Sequence, residues 1–101
     1  MSPLIEQHRE ELAEICRRYH VKRLELFGSG ARGELRPESD LDFLVEFSEP
    51  PDADLVRQYF GLIDDLSRLF HRPVDLVEES AIDNPYFLED VNESRTLVYR
   101  T

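Results

Sequence analysis

Leu26-Phe27-Gly28-Ser29-Gly30-Ala31-Arg32-Gly33 ends one apolar run, and Ser39-Asp40-Leu41-Asp42 opens the next. Val21 to Phe27 reads as a first strand with Leu24 and Leu26 on one face. Asp40 to Phe47 reads as a second strand. On that second strand Leu41, Phe43, Val45 and Phe47 share one face, while Asp40, Asp42, Leu44 and Glu46 share the other. The apolar set is expected to face the core, which aims the aspartates toward the more open side. Glycines let backbone N–H groups come close to phosphate oxygens. Carboxylates at i and i+2 of a strand stand about 6.5–7 Å apart on one face and can hold hard divalent cations. A phosphate cradle beside a cation site points to nucleotide chemistry.

Gly28-x-Gly30-x-x-Gly33 also spells a dinucleotide-binding fingerprint, but its context argues against one. That fingerprint needs its glycines to open a long crossover helix, and Pro37 is expected to stop any helix within two turns. The loop also lacks the Gly-Lys-Ser/Thr ending of a P-loop.

Working outward, Ser2 is placed to cap a helix with Pro3 at its first position. Leu4, Ile5, His8, Leu12, Ile15, Cys16 and Tyr19 recur at spacings of three and four, which predicts an amphipathic helix over residues 3–19. Residues 48–53 read as a loop. A second helix is expected over 53–70, with Leu55, Val56, Tyr59, Leu62, Ile63, Leu66, Leu69 and Phe70 as its apolar face. His71-Arg72-Pro73 should end it, and Val74-Asp75-Leu76-Val77 reads as a third strand. Asn84 is placed to cap a helix starting at Pro85 that buries Tyr86, Phe87, Leu88 and Val91. Thr96 to Tyr99 is a candidate last strand. For the segment from Pro85 to Tyr99, core is favoured over partner surface. This order argues an α+β (mixed α/β) fold, a small mixed sheet with helices packed on one face.

The chain has 101 residues, enough for one domain spanning 1–101 around a single core. No run approaches the roughly 18 apolar residues of a membrane span. The N-terminal residues lack the basic and apolar regions of a secretory signal. Cys16 is the only cysteine, so no internal disulfide forms, which suits a reducing cytoplasm. The net charge of −10, with Arg17, Arg18, Lys22 and Arg23 as the one basic cluster, argues against long nucleic acid as a partner. An acidic surface suits a basic protein partner, and it also simply aids solubility. His8, His20 and Cys16 have no metal-ligand spacing and receive no role.

Joined together, these residues suggest a mechanism. Asp40 and Asp42 would hold two magnesium ions, and Asp75 would complete the set and draw the proton from an attacking hydroxyl. Ser29 and the loop N–H groups of Gly28 to Gly33 would hold the departing phosphates, with Arg32 neutralising their charge. Ser39 either contacts phosphate or caps the turn before the strand.

Gly28-Ser29, Ala31-Arg32-Gly33 and Ser39-Asp40-x-Asp42-x-x-Val45 resemble the ungapped GSxARGxxxxxSDxDxxV motif of the minimal nucleotidyltransferases, within the DNA polymerase β-like superfamily. The resemblance implies the nucleotidyltransferase fold, two Mg²⁺ ions at the paired aspartates, ATP as nucleotide donor, and Asp75 as the third carboxylate. It also implies a setting: the antitoxin half of a HEPN/MNT toxin–antitoxin pair. There the enzyme is expected to transfer AMP to a tyrosine of a HEPN-domain ribonuclease toxin. The rival expectations are neutralisation of the partner by occlusion alone, and transfer to a small molecule. Gly30 departs from the pattern, since many relatives carry a large side chain there; a weaker phosphate grip or a roomier loop is the expected consequence.

Overall fold

The computed structural model describes residues 3–33, 36, 39–48 and 54–101. Ser2, Pro37 and most of the expected loop at 48–53 lie outside the described residues. The expected first helix comes as two pieces, α1 (Pro3–Gln7) and α2 (Arg9–Arg18). The backbone leaves helical geometry at His8, and the bend lets Ile5 and Leu12 both be fully buried. The His8 ring meets Phe70 edge-on at 5.6 Å. Cys16 is buried beside them, and burial pushes its thiol up to about 12, which agrees with giving it no chemical role.

Strands β1 (Val21–Phe27), β2 (Leu41–Phe47), β3 (Val74–Glu78) and β4 (Thr96–Arg100) form one mixed sheet in the order β3-β2-β1-β4. β1 runs antiparallel to β2 and β4, and β2 runs parallel to β3. Parallel neighbours need a crossover, supplied here by α3 (Leu55–Phe70). The Asp54 carboxylate caps α3 by accepting from the Arg57 N–H at 3.1 Å. His71, in the left-handed region at φ 55°, ends it and turns the chain into β3.

The main core lies on one face of the sheet. Leu24, Leu26, Leu41, Phe43, Val45 and Leu76 pack there against Leu12, Leu62, Leu66 and Phe70 of α2 and α3. Tyr59 donates its hydroxyl to the Leu76 carbonyl and ties α3 to β3. Two expectations for the helix faces need correction. Leu55 and Val56 overhang the sheet, 53% and 68% exposed, and Gln58 takes the buried position of that turn. In α4 (Pro85–Ser94), Val91 alone is buried, while Tyr86 is 81% exposed. The cause is the surface α4 meets: it rests on the opposite face, where Phe27 and Leu44 are the buried apolar residues of the sheet. So α1 to α3 keep to one face as expected, and α4 adds a small second layer. The Asn84 side chain caps α4 as expected, accepting from the N–H groups of Tyr86 and Phe87.

A charged network anchors the exit of α4. Arg95 donates to both carboxylate oxygens of buried Glu25 at 2.7 and 3.0 Å and also bonds Glu79. Arg23 closes the set, 3.2 Å from Glu25 and 3.0 Å from Glu79. Hydrogen bonding from Arg95 holds the Glu25 carboxyl below the usual range, as expected for a buried carboxylate in bidentate contact.

Candidate active site

The parallel pairing of β2 and β3 sets Asp42 directly beside Asp75 in register. On β1 the residue opposite Asp42 is Phe27. Cross-strand partners project from the same face, so Asp42, Asp75 and Phe27 stand together on the face opposite the main core. Asp42 is half-buried, and Asp40 and Asp75 are exposed. Asp40 precedes β2 by one residue rather than lying on it. Asp42 titrates above the usual carboxylate range: burial is the main cause, followed by the negative charges of Asp75 and Asp40, with Arg32 pulling the other way. Asp40, Asp75 and Arg32, all picked out from the sequence, thus each act electrostatically on Asp42.

The glycine loop is fitted to that carboxylate. Gly28 has φ +73°, and a Cβ there would stand 2.7 Å from Asp42 Oδ2. Only glycine allows both the backbone conformation and the closeness. Gly28 accepts from the Arg32 N–H at 3.2 Å, which closes the loop into one compact turn and brings Arg32 back over it. The Gly28 N–H donates to Ser94 Oγ at 2.9 Å. This N–H is therefore engaged with α4, and the part of Gly28 visible here is to make room for Asp42. Ser94 was invisible in the sequence, because a lone serine at the end of a helix carries no signal of a partner so far away in the chain.

Gly30 differs from expectation in its surroundings. It is buried, and a Cβ there would lie 3.3 Å from Leu41 Cδ2 and 3.4 Å from Leu26. The position faces the core, so glycine relieves crowding there rather than opening the loop. Ser39 Oγ accepts from the Arg36 N–H at 3.1 Å, and the Ser39 N–H donates to the Arg36 carbonyl at 3.0 Å. Ser39 thus clasps the stretch before β2 through Arg36. Ser29 is half-buried at the tip of the loop.

Among the described residues no three His, Cys, Asp or Glu side chains already converge as a metal cage. Magnesium, however, is usually held by one or two carboxylates with substrate phosphates and waters completing its shell. Asp42, raised first by burial and then by the charges of Asp75 and Asp40, offers with them hard carboxylate oxygens that fit such an ion, since a cation would relieve their repulsion. A pocket of about 370 Å³ lined by Arg23, Glu46, Leu55 and Glu78 lies toward the other end of β2 and β3 and shares no lining residue with this site. No helix among the described residues is long and apolar enough to cross a membrane.

Residues 6–98 match the model of the nucleotidyltransferase domain family. A "putative protein adenylyltransferase" of Methanocaldococcus jannaschii is 42% identical over 96 residues, covering 95% of this chain and 90% of the relative. A solved "putative minimal nucleotidyltransferase" superposes with a TM-score of 0.75 at 34% identity, covering 95% of each chain. The fold is shared more distantly with a complex of a tri-AMPylated Shewanella oneidensis HEPN toxin and MNT antitoxin. There the TM-score is 0.64 at 18% identity, covering 96% of this chain and 73% of that one. With its glycine turn packed on a carboxylate that faces a second carboxylate across parallel strands, this chain belongs to the nucleotidyltransferase domain family and is a nucleotidyltransferase.

Proposed function

We propose that this enzyme is a magnesium-dependent protein adenylyltransferase that moves AMP from ATP to a tyrosine of a HEPN-domain ribonuclease toxin and so serves as its antitoxin. The observation that carries this reading is the pairing of Asp42 with Asp75 in register, with the Asp42 carboxylate set so near Gly28 that a Cβ there would stand 2.7 Å from Oδ2. The relative named as a protein adenylyltransferase supports protein as the acceptor. The AMPylated HEPN toxin in complex with its MNT partner supports the pairing.

Asp40, Asp42 and Asp75 would hold the magnesium, which when bound neutralises triphosphate charge and favours departure of pyrophosphate. The chain's own residues do the rest. Ser29 and Arg32 hold the β- and γ-phosphates at the loop, Arg32 with charge-assisted hydrogen bonds. The tyrosine oxygen attacks the α-phosphorus in line. A new oxygen–phosphorus bond forms as the bond to the bridging oxygen of the β-phosphate breaks, and the phenolic proton passes to the Asp75 carboxylate. Pyrophosphate leaves, and AMP remains on the tyrosine. Such an enzyme would work in the cytoplasm, where ATP and a ribonuclease toxin meet.

The test is incubation with ATP labelled on the α- or the γ-phosphate, with magnesium and the HEPN-domain product of an adjacent reading frame. The expected result is α-label alone on the partner, mapped to tyrosine by mass spectrometry. Label from the γ-phosphate, or no label on the partner, would overturn the reading.

A further inference from the structure

The approach to Asp40 is held from an unexpected direction. His71, left-handed at φ 55° and ψ 41°, turns the chain sharply off the end of α3. The Arg72 N–H still reaches back to the Ser67 carbonyl at 3.3 Å, so this turn is fixed to the helix. Its side chain then spans to the segment before β2. Arg72 Nη1 donates to the Arg36 carbonyl at 2.9 Å and to the Ser39 carbonyl at 3.3 Å. The second of these belongs to the peptide that joins Ser39 to Asp40. On the far side of Asp40, the Leu41 N–H donates to the Pro73 carbonyl at 3.0 Å. Asp40 is thus bracketed by two contacts, both made by the dipeptide that leads into β3 and Asp75.

We propose that Arg72 is a positioning residue for the cation site: its guanidinium holds the carbonyls of Arg36 and Ser39, and so fixes Asp40 relative to Asp42 and Asp75. This inference rests on the reading of those carboxylates as the cation ligands. Three features support it. Arg72 is half-buried, and its Nε is shielded from water with no acceptor among the described residues, so the side chain is held for what its Nη1 end does. Arg36 and Ser39 are themselves tied to each other by hydrogen bonds in both directions, so a hold on both of their carbonyls bears directly on the residue after Ser39. A planar guanidinium has donors in a fixed fork and can serve two carbonyls without rearranging, whereas an ammonium on a flexible stem holds them less firmly.

The experiment compares the full chain with Arg72→Ala and Arg72→Lys in three measurements. These are amide hydrogen exchange at Ser39 and Leu41, Mn²⁺ titration of the protein alone followed by electron paramagnetic resonance, and the magnesium dependence of nucleotidyl transfer. Loss of a group that orients a metal ligand weakens metal affinity by about 10–100-fold. For Arg72→Ala we therefore expect Mn²⁺ half-saturation to rise by that factor and the magnesium requirement to rise with it. Exchange should quicken at Ser39 and Leu41 but stay as in wild type along β1 and β4, and saturating magnesium should restore most of kcat. Arg72→Lys should fall between the two. Unchanged exchange and unchanged Mn²⁺ affinity in Arg72→Ala would overturn the proposal. So would exchange that quickens equally in β1 and β4, which marks a general stabiliser. If the wild type transfers no nucleotide at all, the reading of the enzyme fails, while exchange and Mn²⁺ binding still decide the role of Arg72.

Discussion

Replacing Gly28 by alanine should separate the two tasks that glycine performs here, with Gly33→Ala as its internal control. Both glycines have positive φ, +73° and +75°, so each substitution forces an L-residue into the left-handed region. That costs about 1–2 kcal/mol, partly offset by about 0.4–1 kcal/mol from the stiffer unfolded chain. A net loss of about 1 kcal/mol is expected in either variant, a fall of about 4–8 °C in Tm for a domain of this size. The surroundings differ. A Cβ at Gly33 meets nothing within 4 Å, but one at Gly28 stands 2.7 Å from Asp42 Oδ2. Ordinary carbon–oxygen contacts lie at about 3.3–3.6 Å, so the carboxylate must retreat by roughly 0.6–0.9 Å. Misplacing a reacting group by about 1 Å can cost on the order of 10²-fold in rate. Thermal melts and α-labelled ATP transfer, run on both variants, should therefore show similar Tm losses but a rate loss near 10²-fold in Gly28→Ala alone. Equal rate losses in the two variants would refute the claim that Gly28 is there to admit Asp42.

Removing the charge of Asp42 should stabilise the protein while disabling it. Because its folded-state titration lies above the usual carboxylate range, ionised Asp42 weakens folding at neutral pH, and that penalty vanishes at pH values below the unfolded carboxylate range. Asp42→Asn should thus melt higher than wild type near neutral pH, with the gap closing as melts are repeated from about pH 8 down to about pH 3. Added Mg²⁺ should raise the melting temperature of wild type and leave that of the variant nearly unmoved. Gly61→Ala tests the contact between α2 and α3, since a Cβ there would stand 2.5 Å from Tyr19 Cε1. Helix propensity favours alanine by about 1 kcal/mol. Overpacking costs about 1–3 kcal/mol, and the Tyr19–Asp65 hydrogen bond at 2.9 Å is displaced with the ring. A net loss of about 1–2 kcal/mol in denaturant melts is expected, and a gain would mean that Tyr19 moves aside freely.

What could be read in advance follows from which forces are local. β1 ends where its alternation meets Gly28, and β2 shows its buried and polar faces residue by residue, so both strands and the outward face of Asp42 were legible. Asp75 was legible only as a carboxylate in an apolar strand. Its register with Asp42 depends on the α3 crossover, which no local pattern records. The apolar residues of α4 misled because periodicity reports what a helix offers, not the surface it meets. Here that surface carries Glu25, Asp42 and Asp75 among its few apolar residues, and Tyr86 is left in water. Ser94 and Arg72 act through hydrogen bonds to backbone groups distant in the chain, and such contacts leave no spacing to read. Gly30 was noticed for its identity, yet its reason lies in Leu26 and Leu41, which only the folded loop brings against it.

The central claim, that the carboxylates catalyse transfer rather than merely decorate a binding surface, is tested most directly by comparing labelling with neutralisation. Wild type, Asp40→Asn and Asp42→Asn are each incubated with α-labelled ATP, magnesium and the HEPN-domain partner, and the partner's ribonuclease activity is then measured. The account predicts label on the partner and loss of its ribonuclease activity with wild type, and neither with either variant. Full neutralisation of the partner by both variants, without label, would contradict it and would show that the protein silences its partner by occlusion.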